Sequence, residues 1–203
     1  DSIDFNGSNF PDYLPLQKLP LEDIILVIDD SHGIGITGKN GGGSFSYLQS
    51  LQPKELIVTC SLGKGFGIQA GAIFGRQSII EKLKETEFFG GSSPATPAAL
   101  ATIIDAQPII LAKRELLLRN TSLFLKNLAN PLLFSASEGH PSFSFKNEQL
   151  AILLEENGIL VTNFRYPTEK DELMSRIVLS SSHEKEDILK LCKTLNSLSI
   201  YTT

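Results

Sequence analysis

Two short apolar runs, each closing on a glycine-rich polar cluster, constrain this chain more than any other feature. IILVI, from Ile24 to Ile28, runs into DDSHGIGITG. ELIVT, from Glu55 to Thr59, runs into CSLGKGFG. A short, continuous apolar run suits a strand buried on both faces, the pattern of an α/β sheet. AGAIF, from Ala70 to Phe74, reads as a third strand of the same kind. Gly- and Ser-rich loops separate the three, and no two-residue hairpin turn joins them. In open α/β sheets ligands bind beyond the carboxyl ends of the strands, so the two polar clusters are where chemistry is expected.

The rest of the chain predicts helices and a second set of strands. RQSIIEKLK, from Arg76 to Lys84, carries Ile79, Ile80 and Leu83 on one helical stripe. SSPATP, from Ser92 to Pro97, is a break. From Pro97, suited to a first helical turn, a helical pattern runs towards Leu128, with Pro108 placed to interrupt or kink it. Beyond Asn130 and Pro131 the character changes. PSFSF (Pro141 to Phe145) alternates like a half-buried strand, and NEQLAILLEEN (Asn147 to Asn157) predicts an amphipathic helix stopped by Gly158. Ile159 to Val161 and SRIVLS (Ser175 to Ser180) read as strands. A last helix from about Glu184 places Ile188, Leu191, Cys192, Leu195 and Leu198 on one face, with Glu184, Glu186 and Asp187 at its dipole-favoured start. The expected organisation is an α/β core over residues 1–95, a helical connection over 96–129 and a small α/β domain over 130–203.

Composition narrows the function. The 203 residues are 41% hydrophobic and 20% charged, which is ordinary for a soluble globular protein. A net charge of −5, with Lys113 and Arg114 as the densest basic spot, argues against nucleic acid and anionic membrane partners. No apolar run approaches the roughly 20 residues of a membrane-spanning helix. Cys60 and Cys192 show no metal-ligand spacing and read as reduced, buried thiols of a cytoplasmic protein. The chain opens DSID, with no initiator Met and no signal-like segment, as a mature form, a cleaved product or a piece of something longer would.

Lys64 poses the chemical question. Alone, its segment is a flexible glycine loop with a solvated lysine, Asp29 is a turn cap and His32 a loop histidine. SLGK, from Ser61 to Lys64, matches the Ser-x-x-Lys of penicillin-recognising enzymes, but their Ser-Asp-Asn and Lys-Thr-Gly partners do not occur. A phosphate loop fails too, because Gly65 follows the lysine and Val58 stands where its first glycine belongs. A metal site from Asp29, Asp30 and His32 lacks a second ligand cluster. Together, however, a carboxylate, a histidine and a lysine preceded by a hydroxyl suit one cofactor. Pyridoxal phosphate is tied to a lysine amine, its ring nitrogen calls for an adjacent carboxylate, and its phosphate takes hydroxyl and backbone N–H donors. Small residues around the lysine let the backbone approach the ring.

These residues also carry a family resemblance. DDSHGIGITGKNGGG (Asp29 to Gly43) and TCSLGKGFGIQAGAIFG (Thr59 to Gly75) resemble the two central motifs of the α-oxoamine synthases. These are fold-type I pyridoxal-phosphate enzymes that act as homodimers and join an amino acid to an acyl-CoA with loss of carbon dioxide. The resemblance continues through FFGGSSP (Phe88 to Pro94), GILVTNFRYP (Gly158 to Pro167) and SRIVLSSSH (Ser175 to His183). It implies part of the large domain of that fold, a mainly parallel sheet flanked by helices, followed by the small C-terminal domain. It assigns Lys64 to the Schiff base, Asp29 to the pyridine nitrogen, His32 to the ring hydroxyl and Ser61 to the phosphate. Ser92 or Ser93 matches the hydroxyl that reaches the partner subunit's phosphate, and Arg176 matches the arginine that grips the substrate carboxylate. A class I/II aminotransferase would use Lys64 and Asp29 identically, and an inert fragment or partner is the non-enzyme alternative.

The departures matter. Family members run to about twice this length, on the scale of large multi-domain enzymes. DSIDFNG, from Asp1 to Gly7, resembles the middle of a member, so a C-terminal fragment is expected, weak or inactive in cofactor binding alone. Asp4 falls near a common Ser and receives no role. Gly42 stands where an arginine is common.

Overall fold

The computed structural model describes residues 1–3, 13–166 and 168–198. Asp4 and Pro167 lie outside them. The described chain forms two compact units, one reaching Ala112 and the other beginning at Lys113. Both are α/β.

The first unit is built on a three-stranded sheet in the order β1 (Ile25–Asp29), β2 (Glu55–Ser61) and β3 (Gly71–Gly75). β1 and β2 run parallel, with Ile28 opposite Val58 and Asp29 opposite Thr59. β3 returns antiparallel to β2, with Cys60 opposite Ala72 and Ser61 opposite Gly71. Parallel neighbours end at the same edge of a sheet, so β1 and β2 deliver their polar clusters to one place. Helix α1 (Phe45–Ser50) lies between β1 and β2, and the single-turn α2 (Leu62–Gly65) follows β2 directly. α3 (Gln77–Lys84) and α4 (Glu87–Gly91) follow β3. Arg76 is the extended residue before α3, and the Thr86 hydroxyl caps α4 by accepting from the Phe89 N–H.

Leu26, Leu48, Leu56, Val58 and Tyr13 form the core on one face of this sheet. The apolar run of β1 predicts burial on both faces, and here the structure differs. Leu26 is 9% exposed, but its neighbours Ile25 and Val27 are 58% and 61% exposed. Alternate side chains point to opposite faces, and no layer among the described residues covers the second face over β1.

The expected long helix divides in two, α5 (Pro97–Asp105) and α6 (Gln107–Asn127). The break at Ala106 comes two residues before Pro108, which lacks an N–H and disfavours helix in the residue before it. Pro97 opens α5 behind the N-cap Thr96.

In the second unit the sheet order is β4 (Ser142–Phe145), β6 (Leu173–Val178), β5 (Thr162–Arg165), antiparallel throughout. β4 is more deeply placed than its alternation predicts, with Ser142, Phe143 and Phe145 all buried. The strand expected at Ile159 to Val161 begins instead at Thr162. The Ile159 N–H is tied to the Leu154 carbonyl at the end of α7 (Glu148–Glu156), so the chain is still finishing a helix there. Helix α8 (Lys185–Ser197) opens with a capping box between Glu184 and Asp187 and buries Ile188, Leu191, Cys192 and Leu195. The rings of Phe124 and Phe143, both buried, meet at a tilt of 56° with centroids 4.7 Å apart.

Candidate functional site

The site begins where β1 and β2 stop. Asp29 is the last residue of β1, and Ser61 closes β2 as the residue before α2. Lys64 lies within α2, one turn past the strand end, so its side chain leaves from the same sheet edge as Asp29. Its amine is 2.9 Å from Nε2 of His32. One hydrogen bond joins the two side chains, and the tautomer of the ring sets which of the two nitrogens donates. Lys64 is exposed and His32 half-buried.

Two glycine contacts hold the lysine loop against the histidine loop. A Cβ at Gly65 would lie 2.2 Å from the Ile34 carbonyl oxygen, and one at Gly35 would lie 3.1 Å from the Gly65 Cα. Backbone meets backbone there, and only glycine fits. This is why a lysine sits among glycines: the loops must touch for His32 and Lys64 to meet.

Asp29 accepts from the Ser31 N–H at 2.8 Å. Partial burial pushes its carboxyl upward. The Ser31 N–H, the Ser31 hydroxyl and the charges of Lys64 and His32 outweigh that and hold it below the usual aspartate value. Asp29, Ser31, Ser61, Ser92 and Ser93 line one cavity of about 1020 Å³. Cys60 lines it too, and burial pushes its thiol upward. Lys64 and His32 are not in its wall; they lie against each other. Of the residues singled out in the sequence, Asp29, His32, Ser61, Lys64, Ser92 and Ser93 all belong to the first unit. Ser92 closes α4, its hydroxyl donating to the Phe89 carbonyl at 2.9 Å.

Arg176 belongs to the second unit. It lies on the central strand β6, opposite Ser144 on one side and Thr162 on the other. It is half-buried, and burial pushes the pKa of its guanidinium below the usual arginine value.

Two residues inside the motif make contacts that a sequence reading does not give. Asp30 is 1% exposed, accepting from the Ser44 N–H at 2.8 Å and from the Ser2 hydroxyl. Ser31 is 7% exposed, and its Oγ accepts from the Ser61 N–H at 2.9 Å. Their partners lie far along the chain, and nothing local in DDSHG signals them.

The donor set suits pyridoxal phosphate: an amine, a carboxylate held in its charged form, and hydroxyls converging on one sheet edge. Among the described residues no cluster of His, Cys, Asp and Glu is arranged to hold a metal ion.

The profile of class I and II aminotransferases matches residues 11–195, and the chain belongs to that family. Within it, the α-oxoamine synthase resemblance of the motifs is borne out by similar proteins. The 8-amino-7-oxononanoate synthase of Pectobacterium atrosepticum is 32% identical over 200 residues, covering 91% of this chain and 51% of that protein. The one from Buchnera aphidicola is 34% identical over 185 residues, covering 86% of this chain and 47% of its own length. The crystal structure of 8-amino-7-oxononanoate synthase from Francisella tularensis superposes with a TM-score of 0.63 at 26% identity, over 87% of this chain and 55% of the other. Serine palmitoyltransferase from S. paucimobilis, solved with a bound PLP–myriocin aldimine, has a TM-score of 0.67 at 16% identity, over 87% of this chain and 47% of the other. At that identity it shows the fold alone. The chain spans about half the length of the curated relatives it matches.

Proposed function

We propose that this chain carries the cofactor-holding part of a pyridoxal-phosphate-dependent acyltransferase of the α-oxoamine synthase type. Such an enzyme condenses an amino acid with an acyl-CoA and releases carbon dioxide. The carrying observation is the meeting of Lys64 and His32 at 2.9 Å, with Asp29 within reach of both charges. When bound, the cofactor supplies an electron sink conjugated to the α-carbon of the amino acid.

The residues divide the work by chemistry. Lys64 holds the cofactor through its amine and, once displaced by substrate, carries the α-proton as a general base. Asp29 keeps a proton on the pyridine nitrogen, which requires the carboxylate form that its Ser31 contacts favour. His32 directs its ring to the ring hydroxyl. Ser61 donates to the phosphate, and Ser92 or Ser93 to the phosphate of a second subunit in a homodimer. Arg176 takes the substrate carboxylate, because a planar guanidinium pairs with it through two parallel hydrogen bonds. That grip orients the bond to be broken. A cytoplasmic location fits this chemistry; among the described residues no helix is long and apolar enough to cross a membrane.

Borohydride treatment in the presence of pyridoxal phosphate tests the assignment. It should leave a pyridoxyl group on the peptide containing Lys64, and Lys64→Ala should remove both that label and the bound visible absorbance. A label that survives the substitution, or sits on another lysine, would sink the assignment. The family description also covers aminotransferases, which would use Lys64 and Asp29 in the same way. Release of coenzyme A on mixing amino acid and acyl-CoA distinguishes the acyltransferase from keto-acid-dependent amino transfer.

A further inference from the structure

The two polar clusters at this sheet edge are joined by a side chain that no motif assigns. Ser31 sits two residues past the end of β1, buried, with its backbone N–H on the Asp29 carboxylate at 2.8 Å. Its hydroxyl oxygen accepts from the backbone N–H of Ser61, thirty residues on, at 2.9 Å. Ser61 stands opposite Gly71 at the last position of the β2–β3 ladder. A hydroxyl can accept and donate at once, and the Ser31 hydroxyl is one of the groups that hold the Asp29 carboxyl below its usual value.

We propose that Ser31 is a positioning residue of the cofactor site, clamping the Asp29 carboxylate at the end of β1 to the backbone three residues before Lys64. The proposal rests on the reading of Lys64 and Asp29 as the cofactor-holding pair. The clamp does two things. It orients the carboxylate and favours its charged form through two donors from one residue. It also fixes the turn from β2 into α2, from which Lys64 projects towards His32. The titratable groups in reach of Asp29 are Lys64, His32 and Cys60, while Asp30 directs its carboxylate to Ser2 and Ser44 instead.

The test is Ser31→Ala, read by the titration of the Asp29 carboxyl carbon in an NMR experiment without cofactor, together with hydrogen exchange at the Ser61 amide. Losing the hydroxyl beside a partly exposed carboxylate should move its midpoint upward. The Ser61 amide should exchange faster. Thr37→Val serves as the comparison, because the Thr37 hydroxyl donates to the Gly33 carbonyl in the same loop and does not touch Asp29. It should leave the Asp29 midpoint unchanged, so general loosening of the loop is separated from loss of the clamp. Ser31→Thr keeps the hydroxyl and should retain the parent midpoint; it also supplies the reading if the alanine variant folds poorly. An Asp29 midpoint and a Ser61 exchange rate that are both unchanged in Ser31→Ala would overturn the proposal, even with Lys64 labelled. A shifted midpoint with no label on Lys64 would leave the clamp standing and defeat the cofactor reading instead.

Discussion

Asp30 owes its burial to two glycines. A carboxylate 1% exposed is tolerated only with donors on both oxygens, and Ser2 and the Ser44 N–H supply them. The room comes from missing side chains. A Cβ at Gly33 would sit 2.1 Å from Asp30 Oδ1, and one at Gly43 would sit 2.0 Å from Oδ2. Gly43 also has φ +70°, a region that L side chains rarely adopt. Gly43→Ala is therefore expected to destabilise the first unit by about 2 kcal/mol or more, measured as a lower urea midpoint. Gly90 is the contrast, because an added Cβ there meets nothing within 4 Å. Gly90→Ala, inside α4, should be neutral or stabilising by up to about 1 kcal/mol. Equal losses in the two variants would refute the account of Asp30.

At the scale of elements, the site depends on two loops approaching more closely than side chains permit. β1 and β2 are parallel neighbours, so the loops that follow them leave one sheet edge side by side. The closest approach is Gly65 against the Ile34 carbonyl. Carbonyl oxygen in backbone cannot swing aside as the end of a long side chain can. Gly65→Ala must separate α2 from the 31–44 loop and lengthen the His32–Lys64 contact. Labelling of Lys64 by pyridoxal phosphate and borohydride should fall at least about tenfold, with the circular dichroism of the fold retained. Undiminished labelling would mean that the lysine does not depend on this loop contact. The second unit follows a different logic, in which aromatic packing dominates: Phe124 lies against both Phe143 and Phe134, and Phe134 against Phe145.

At the scale of the whole molecule, the exposed face of β1 has a consequence for the chain by itself. Ile25 and Val27 leave apolar area in water beside Asp29, on the edge strand of a small sheet. An exposed apolar strand face invites association. The matched relatives are about twice as long as the part this chain covers. The 203-residue chain alone is therefore expected to bind a hydrophobic dye and to hold pyridoxal phosphate only weakly. Equilibrium dialysis checks the second point, and tight, Lys64-dependent retention by this chain would contradict it.

Much of this was legible in the residues. The apolar runs marked β1, β2 and β3, the stripe of Ile188, Leu191 and Leu195 marked α8, and Asn147 and Glu184 announced helix starts. Those signals are local: periodicity and capping act within a few residues, so the order of the chain contains them. The same holds for the chemical identity of Lys64, Asp29 and His32 as a set. The rest was decided only on folding. That Ser31 meets Ser61, that Asp30 is buried and that Ile25 and Val27 are not all depend on which strands pair, in what register, and what covers them. Partners thirty residues apart leave no trace in either segment, because a hydrogen bond needs only a donor and an acceptor, and every loop offers both.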